Sequence, residues 1–109
     1  MSGLVGTSSS RSTIVGRHLD TARFWARFNG NTPVLQESFN CSDLSRSQAG
    51  IYVLTFIDPM PTTNYCVIAF SSQSQTLCGT TNTTNVTIEC RNASNSAVNT
   101  DKISVVIFV

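Results

Sequence analysis

The chain has 109 residues, a net charge of +1 and a charged fraction of only 12%, about half the usual figure of roughly 25%. That length allows one domain with a small core, and the seven scattered basic residues form no patch or stripe, which excludes an electrostatic footprint for nucleic acid. No apolar run approaches the length of a membrane span. Ser, Thr, Asn and Gln stand where charge would be expected, and such side chains suit turns and strand faces while forming helices poorly. Low charge also leaves little repulsion between molecules, which points to life inside an assembly.

Residues 1–22 read as an extended N-terminal arm. Two apolar pairs closed by glycine, Leu4-Val5-Gly6 and Ile14-Val15-Gly16, flank a Ser-rich run without a helical or strand period. Leu4, Val5, Ile14 and Val15 are therefore the candidate anchoring residues, expected to plug into a neighbouring subunit. The first residues lack the basic start and apolar centre of a secretion signal, so the chain is expected to be made and kept in the cytosol. His18, beside Asp20, has no nucleophile near it in the sequence and reads as a surface or interface residue.

Residues 23–109 read as one β-domain. Phe24, Ala26 and Phe28 fall on one face of an extended segment, with Trp25 and Arg27 on the other. Asn29-Gly30-Asn31 supplies residues that tolerate positive φ and Pro33 fixes the exit, which predicts pairing with the stretch up to Asn40 as a hairpin or arch. Asn40 to Gly50 is expected to be a polar loop anchored by Leu44. Ile51 to Ile57 is apolar on both faces, as a central strand would be, and Asp58-Pro59-Met60-Pro61 ends it.

Asn64 to Ser71 predicts a further strand, with Tyr65, Val67 and Ala69 opposed to Cys66, Ile68 and Phe70. A weak strand covers Gln75 to Cys78, and Gly79 to Asn82 reads as a turn. From Asn85 to Arg91 the alternation turns Val86, Ile88 and Cys90 inward. A polar loop from Asn92 to Thr100 precedes the apolar stretch Ile103 to Val109, which is expected to lie within a sheet or a subunit contact. Six or seven short strands without a helix predict an all-β fold, a single small antiparallel β-sandwich or jelly-roll-like domain. Several strands are apolar on both faces, more than one small sandwich needs, and a homo-oligomer would use the surplus.

Chemistry-bearing residues are sparse. The six acids form no pair at a readable spacing, and neither a phosphate-binding glycine loop nor a nucleophile elbow is present, so no enzyme activity and no cofactor are expected. Cys41, Cys66, Cys78 and Cys90 contain no CxxC pair, which argues against zinc. In a reducing compartment they are expected as free thiols, with one or two disulfides of unreadable pairing as the alternative. Asn40, Asn82, Asn85 and Asn92 each begin an N-x-S/T triplet, as a composition rich in Asn, Ser and Thr produces by chance. The polar stretches Ser71 to Thr84 and Asn92 to Thr100 offer amides and hydroxyls suited to carbohydrate, or are simply solvated tips.

The segments ARFWARFNGN, ESFNCSDLSRSQAGIYVLTFIDPMPTTNYCVIAFSS and TTNVTIECRNASNSAVNTDKISVVIFV together resemble the C-terminal domain of tailed-phage fibre and virion surface proteins. Trp25, Phe28, Asn29 and Gly30 match the opening strand and turn of that domain. Gly50, Tyr52, Val53, Phe56, Met60, Pro61, Asn64 and Tyr65 match its second strand and M-P-x-x-N-Y loop. The resemblance implies a virion surface protein assembled in the host cytoplasm, its partners being its own copies in a homotrimer and a major capsid or tail protein held through the arm. The chain has no long shaft, which favours capsid decoration or cementing (a head-fibre-like role) over a tail fibre that binds a host surface glycan.

Overall fold

A computed structural model of the chain describes residues 22–109. The anchoring residues Leu4, Val5, Ile14 and Val15, together with His18 and Asp20, lie outside the described residues. The rest is all β. Eight strands run in chain order: β1 Phe24–Asn29, β2 Val34–Phe39, β3 Cys41–Gln48, β4 Ile51–Phe56, β5 Cys66–Ser71, β6 Gln75–Thr81, β7 Asn85–Arg91 and β8 Ile103–Phe108. They form two antiparallel sheets of four strands, ordered β2-β1-β8-β5 and β3-β4-β7-β6, packed face to face as a sandwich.

The four inner strands carry the core because each offers an unbroken apolar set on the face turned to the other sheet. Phe24, Ala26 and Phe28 of β1 and Ile103, Val105 and Ile107 of β8 face Tyr52, Leu54 and Phe56 of β4 and Val86, Ile88 and Cys90 of β7. Two edge-to-face aromatic pairs bridge the sheets, Phe28 with Tyr52 at 5.4 Å and Phe24 with Phe56 at 5.1 Å between ring centroids. Each such pair contributes about 0.5–1.5 kcal/mol beyond the area it buries.

The outer strands pass from one sheet to the other. On one side β2 runs into β3 through the single residue Asn40, and on the other β5 runs into β6 through residues 72–74. Asn40 takes a left-handed backbone, φ 64°, where a short amide side chain can hydrogen-bond locally. Its Nδ2 donates to the carbonyls of Arg23 and Asp58, both at 3.1 Å. Its Oδ1 accepts from the Asp58 N–H at 2.7 Å, and its own carbonyl accepts from the Ile57 N–H at 3.0 Å. One asparagine thus closes the corner and holds the start of the β4–β5 connection against it.

Three sequence expectations are corrected. Cys41 to Gln48 is strand β3, where a polar loop from Asn40 to Gly50 is expected. As an edge strand it turns only Cys41 and Leu44 toward the core and carries Ser, Asp, Arg and Gln outward, with register shifts that break the alternation further. Polar side chains are what keep such an edge from pairing with another molecule. Strand β6 likewise continues through Gly79 to Thr81, and the reversal follows it, closed by the Asn82 N–H donating to the Asn85 carbonyl at 2.9 Å. Finally, the Asn29-Gly30-Asn31 turn uses no positive φ. Among the described residues only Asn40, Asn95 and Gly50 adopt it. Gly30 is required for space: an added Cβ would clash with the Tyr52 phenol and stand 2.7 Å from the Thr100 carbonyl.

The corner predicts a graded response. Asn40→Gly keeps the backbone but removes the side-chain bonds, and should lower unfolding stability by about 1–3 kcal/mol. Asn40→Ala should cost roughly 1 kcal/mol more, because alanine resists the left-handed conformation. Urea denaturation of the two variants measures the difference; equal stabilities would mean that the backbone at this corner is relaxed.

Candidate functional site

The residues singled out by sequence divide between the two ends of the sandwich, and most of them hold it together. At one end lie the β1–β2 and β3–β4 turns, residues 72–74 and the loop from Asn92 to Lys102. Tyr52 organises this end. Its ring is buried, and its hydroxyl donates either to the Gly30 carbonyl at 3.1 Å or to Asn99 Oδ1 at 3.3 Å. Asn99 Oδ1 also accepts from the Gly50 N–H at 2.9 Å, and the Gly30 N–H donates to the Thr100 carbonyl at 2.8 Å. Buried Thr100 shares a 2.6 Å hydroxyl contact with Ser72. Gly50, at φ 77°, has the carbonyl of Cys90 and the backbone of Val98 where a Cβ would sit. Two connections thus meet on one phenol, the β1–β2 turn and the Asn92 loop, and that loop in turn holds the β3–β4 turn through Gly50 and Ser72 through Thr100.

Asn29 shapes the adjoining turn, its Oδ1 accepting the Asn31 N–H at 2.9 Å. Arg46 of β3 ties the same turn to the opposite sheet by donating to the carbonyls of Gly30 at 3.1 Å and Asn31 at 2.7 Å. The Asn92 loop is shaped in the same way. Asn92 Oδ1 accepts the N–H groups of Ser94 and Ser96, while Arg91 bridges Glu89 Oε2 and the Asn95 carbonyl. What this end presents to water is a rim of short amides and hydroxyls, including Asn31, Thr32, Ser72, Ser74, Ser94, Asn95 and Ser96. The stretches 71–84 and 92–100 are therefore only partly one surface. Residues 72–74 meet the Asn92 loop here, whereas residues 82–84 lie at the far end.

That far end is built by the M-P-x-x-N-Y stretch. Met60 is buried and its N–H donates to the Thr83 carbonyl at 2.8 Å. Tyr65 packs edge-on against Phe56 at 6.0 Å, and its hydroxyl donates to the carbonyls of Asn82, 2.8 Å, or Asn85, 3.1 Å. Pro61 and Asn64 are exposed, the Asn64 N–H being capped by Thr62 Oγ1 at 3.1 Å. Phe28 and Phe56 are core residues, while Trp25, 39% exposed, points out of one sheet and half-buried Val53 out of the other.

The four cysteines are free thiols on four different strands, Cys90 buried, Cys41 half-buried, Cys66 and Cys78 exposed. Burial pushes the thiols of Cys41, Cys78 and Cys90 up from their ordinary value of 9.0, which leaves little thiolate for nucleophilic chemistry. No three His, Cys, Asp or Glu residues gather in metal-binding reach among the described residues. Two of the four N-x-S/T asparagines already use their amide nitrogens in folding bonds, Asn40 as above and Asn82 to Asn85 Oδ1 at 2.9 Å.

The outward face of the β2-β1-β8-β5 sheet differs from both ends, and sequence reading did not assemble it. Phe39, Trp25, Val106 and Ile68 stand opposite one another in that order, one from each strand. Beside this row run Glu37, Arg27, Ser104 and Phe70, and Phe108 lies opposite Cys66. Phe39 is 53% exposed, Ile68 40% and Phe70 67%. Each residue was visible as an off-face apolar position of its strand; the strand order that lines them up was not. The opposite sheet shows a mixed face in which Ile51 and Val53 alternate with Gln48, Ser45, Thr87 and Glu89.

Comparison with known proteins returned no matching family model, no matching curated protein and no matching solved structure.

Burial raises the Tyr52 and Tyr65 phenols above their ordinary 10.0, against hydrogen bonds from the backbone that pull them down. A folded value above the unfolded one means that the stabilisation is whole below pH 10 and is lost as pH climbs through the folded value. Unfolding stability should therefore fall as pH rises past 10, and less steeply in Tyr52→Phe. An alkaline denaturation series in which both proteins lose stability in parallel would contradict the assignment.

Proposed function

We propose that this chain is a structural protein of a tailed-phage virion, forming homotrimers that decorate or cement the capsid and attach through residues 1–22. The observation that carries the reading is the resemblance over Trp25 to Gly30 and Gly50 to Tyr65. Its support from the fold is that these matched residues are mostly what a β-sandwich of this topology needs at its two ends. Phe28, Gly30 and Tyr52 lock one end. Met60 and Tyr65 lock the other.

The layout suits attachment at one end. The chain enters β1 at Ala22 and Arg23, beside the Asn40 corner and the Tyr65 end. The polar rim around Tyr52 lies at the opposite end of the strands. A domain held by its N-terminal arm would present that rim outward. The rim also favours a second reading, in which the trimer sits at the tail and these amides and hydroxyls hold a host surface glycan.

Removing residues 1–16 should leave a domain with unchanged circular dichroism and melting that no longer joins particles. Normal incorporation of the truncated chain would remove the anchoring role. Counting copies per particle separates the two locations. Hundreds correspond to capsid decoration, and a handful in multiples of three or six to the tail.

A further inference from the structure

From the outward face of the β2-β1-β8-β5 sheet we infer a self-association surface: Phe39, Trp25, Val106, Ile68 and Phe70 are covered by further copies of this same chain. The inference deepens the trimer reading above by naming the face that the copies share; it does not depend on where the trimer sits.

Three features select this face and this occupant. The first is continuity. An apolar row crosses all four strands without interruption, and its large side chains, with Phe70 beside them, are 39% to 67% exposed. A contiguous patch of this kind marks an interaction site, whereas scattered apolar residues are ordinary surface.

The second feature is charge. Arg27 and Glu37 stand directly opposite each other on this face, yet the one ion pair among the described residues is Arg91 with Glu89. A foreign apolar surface laid over the face would take a cation and an anion out of water with only each other as partner, a desolvation cost that one pair does not reliably repay. A like copy brings its own Arg27 and Glu37 and can satisfy both, as self-complementary interfaces require.

The third feature is area. Four strands about 4.8 Å apart and six residues long at about 3.3 Å each give a face of roughly 400 Å². Two copies laid face to face would bury about 800 Å² in total, and three faces turned toward one another about 1,200 Å² divided over three contacts of roughly 400 Å² each; either way each contact falls below the roughly 1,200 Å² of standard interfaces, which makes self-association on this face dependent on concentration.

The test uses the full chain. Analytical ultracentrifugation across a wide concentration range should give three times 11.8 kDa. Ile68→Asp should weaken association at least tenfold while melting stays unchanged. Phe70→Ser, at the most exposed position on the face, does the same with less risk to folding. Arg27→Glu should weaken association, and the double reversal Arg27→Glu with Glu37→Arg should recover it.

A chain that stays monomeric at every concentration overturns the inference. So does a trimer that survives Ile68→Asp and Phe70→Ser in folded protein, or a double reversal no better than the single one. A dimer abolished by these substitutions keeps the face and overturns the number of copies. Trimers that form in solution but never join particles would refute the virion reading alone, and particle-bound monomers would refute this one alone.

Discussion

The fold depends on burying a phenol without leaving its hydroxyl unpaired. Tyr52 lies wholly inside the sandwich, and an unsatisfied hydroxyl there would cost about 1–3 kcal/mol. The chain meets that demand by bringing two segments to it, the β1–β2 turn and the β7–β8 connection. Gly30 approaches closely because it has no side chain, Asn99 reaches across from the β7–β8 connection, and the Thr100 N–H points at the oxygen from 3.4 Å. Those contacts then fix where the β1–β2 turn, the β3–β4 turn and the Asn92 loop sit. Tyr65 repeats the device at the other end, against the carbonyls of Asn82 and Asn85. A sandwich this short is therefore stapled at both ends by tyrosines, with Phe24, Phe28 and Phe56 packed between them.

This arrangement separates what holds the fold from what is left over. The inner faces, both tyrosine staples and the Asn40 corner are complete within one chain. Most of the spare apolar surface sits on one outer face, while the outer face of the other sheet mixes Ile51, Val53 and Leu77 with polar residues and the end around Tyr52 carries amides and hydroxyls. One side of the domain is suited to contact with protein and one end to contact with water or polar ligands. A protein with few charges has little electrostatic means of staying apart from its copies, which makes a defined self-contact the orderly outcome.

Most of the core was legible in the sequence because the inner strands obey a period of two. Phe24 to Phe28 and Val86 to Cys90 show it and are buried as that period requires, whereas Ile51 to Phe56 and Ile103 to Ile107 are apolar on both faces in sequence, and only the packing of the sheets selects the face each one buries. The edge strands were not legible for the same reason in reverse. Cys41 to Gln48 carries Ser, Asp and Arg on an edge that must avoid pairing, so its pattern is that of a loop. Gly79 inside β6 reads as a turn, yet it lies flat against Thr87 of β7. Gly30 was found for the wrong reason, since its backbone is ordinary and its missing side chain is what matters. The outer apolar face needed the strand order, which no local pattern encodes, although Trp25 was already visible as the large residue on the wrong side of β1.

Trp25 is the only tryptophan in the chain and stands in the middle of that face, so its fluorescence reports directly on whether the face is covered. The account predicts a blue, poorly quenched emission at high protein concentration that moves to the red and becomes open to acrylamide on dilution. An emission maximum and a quenching constant that stay the same over the whole concentration range, at values of a water-exposed indole, would contradict it.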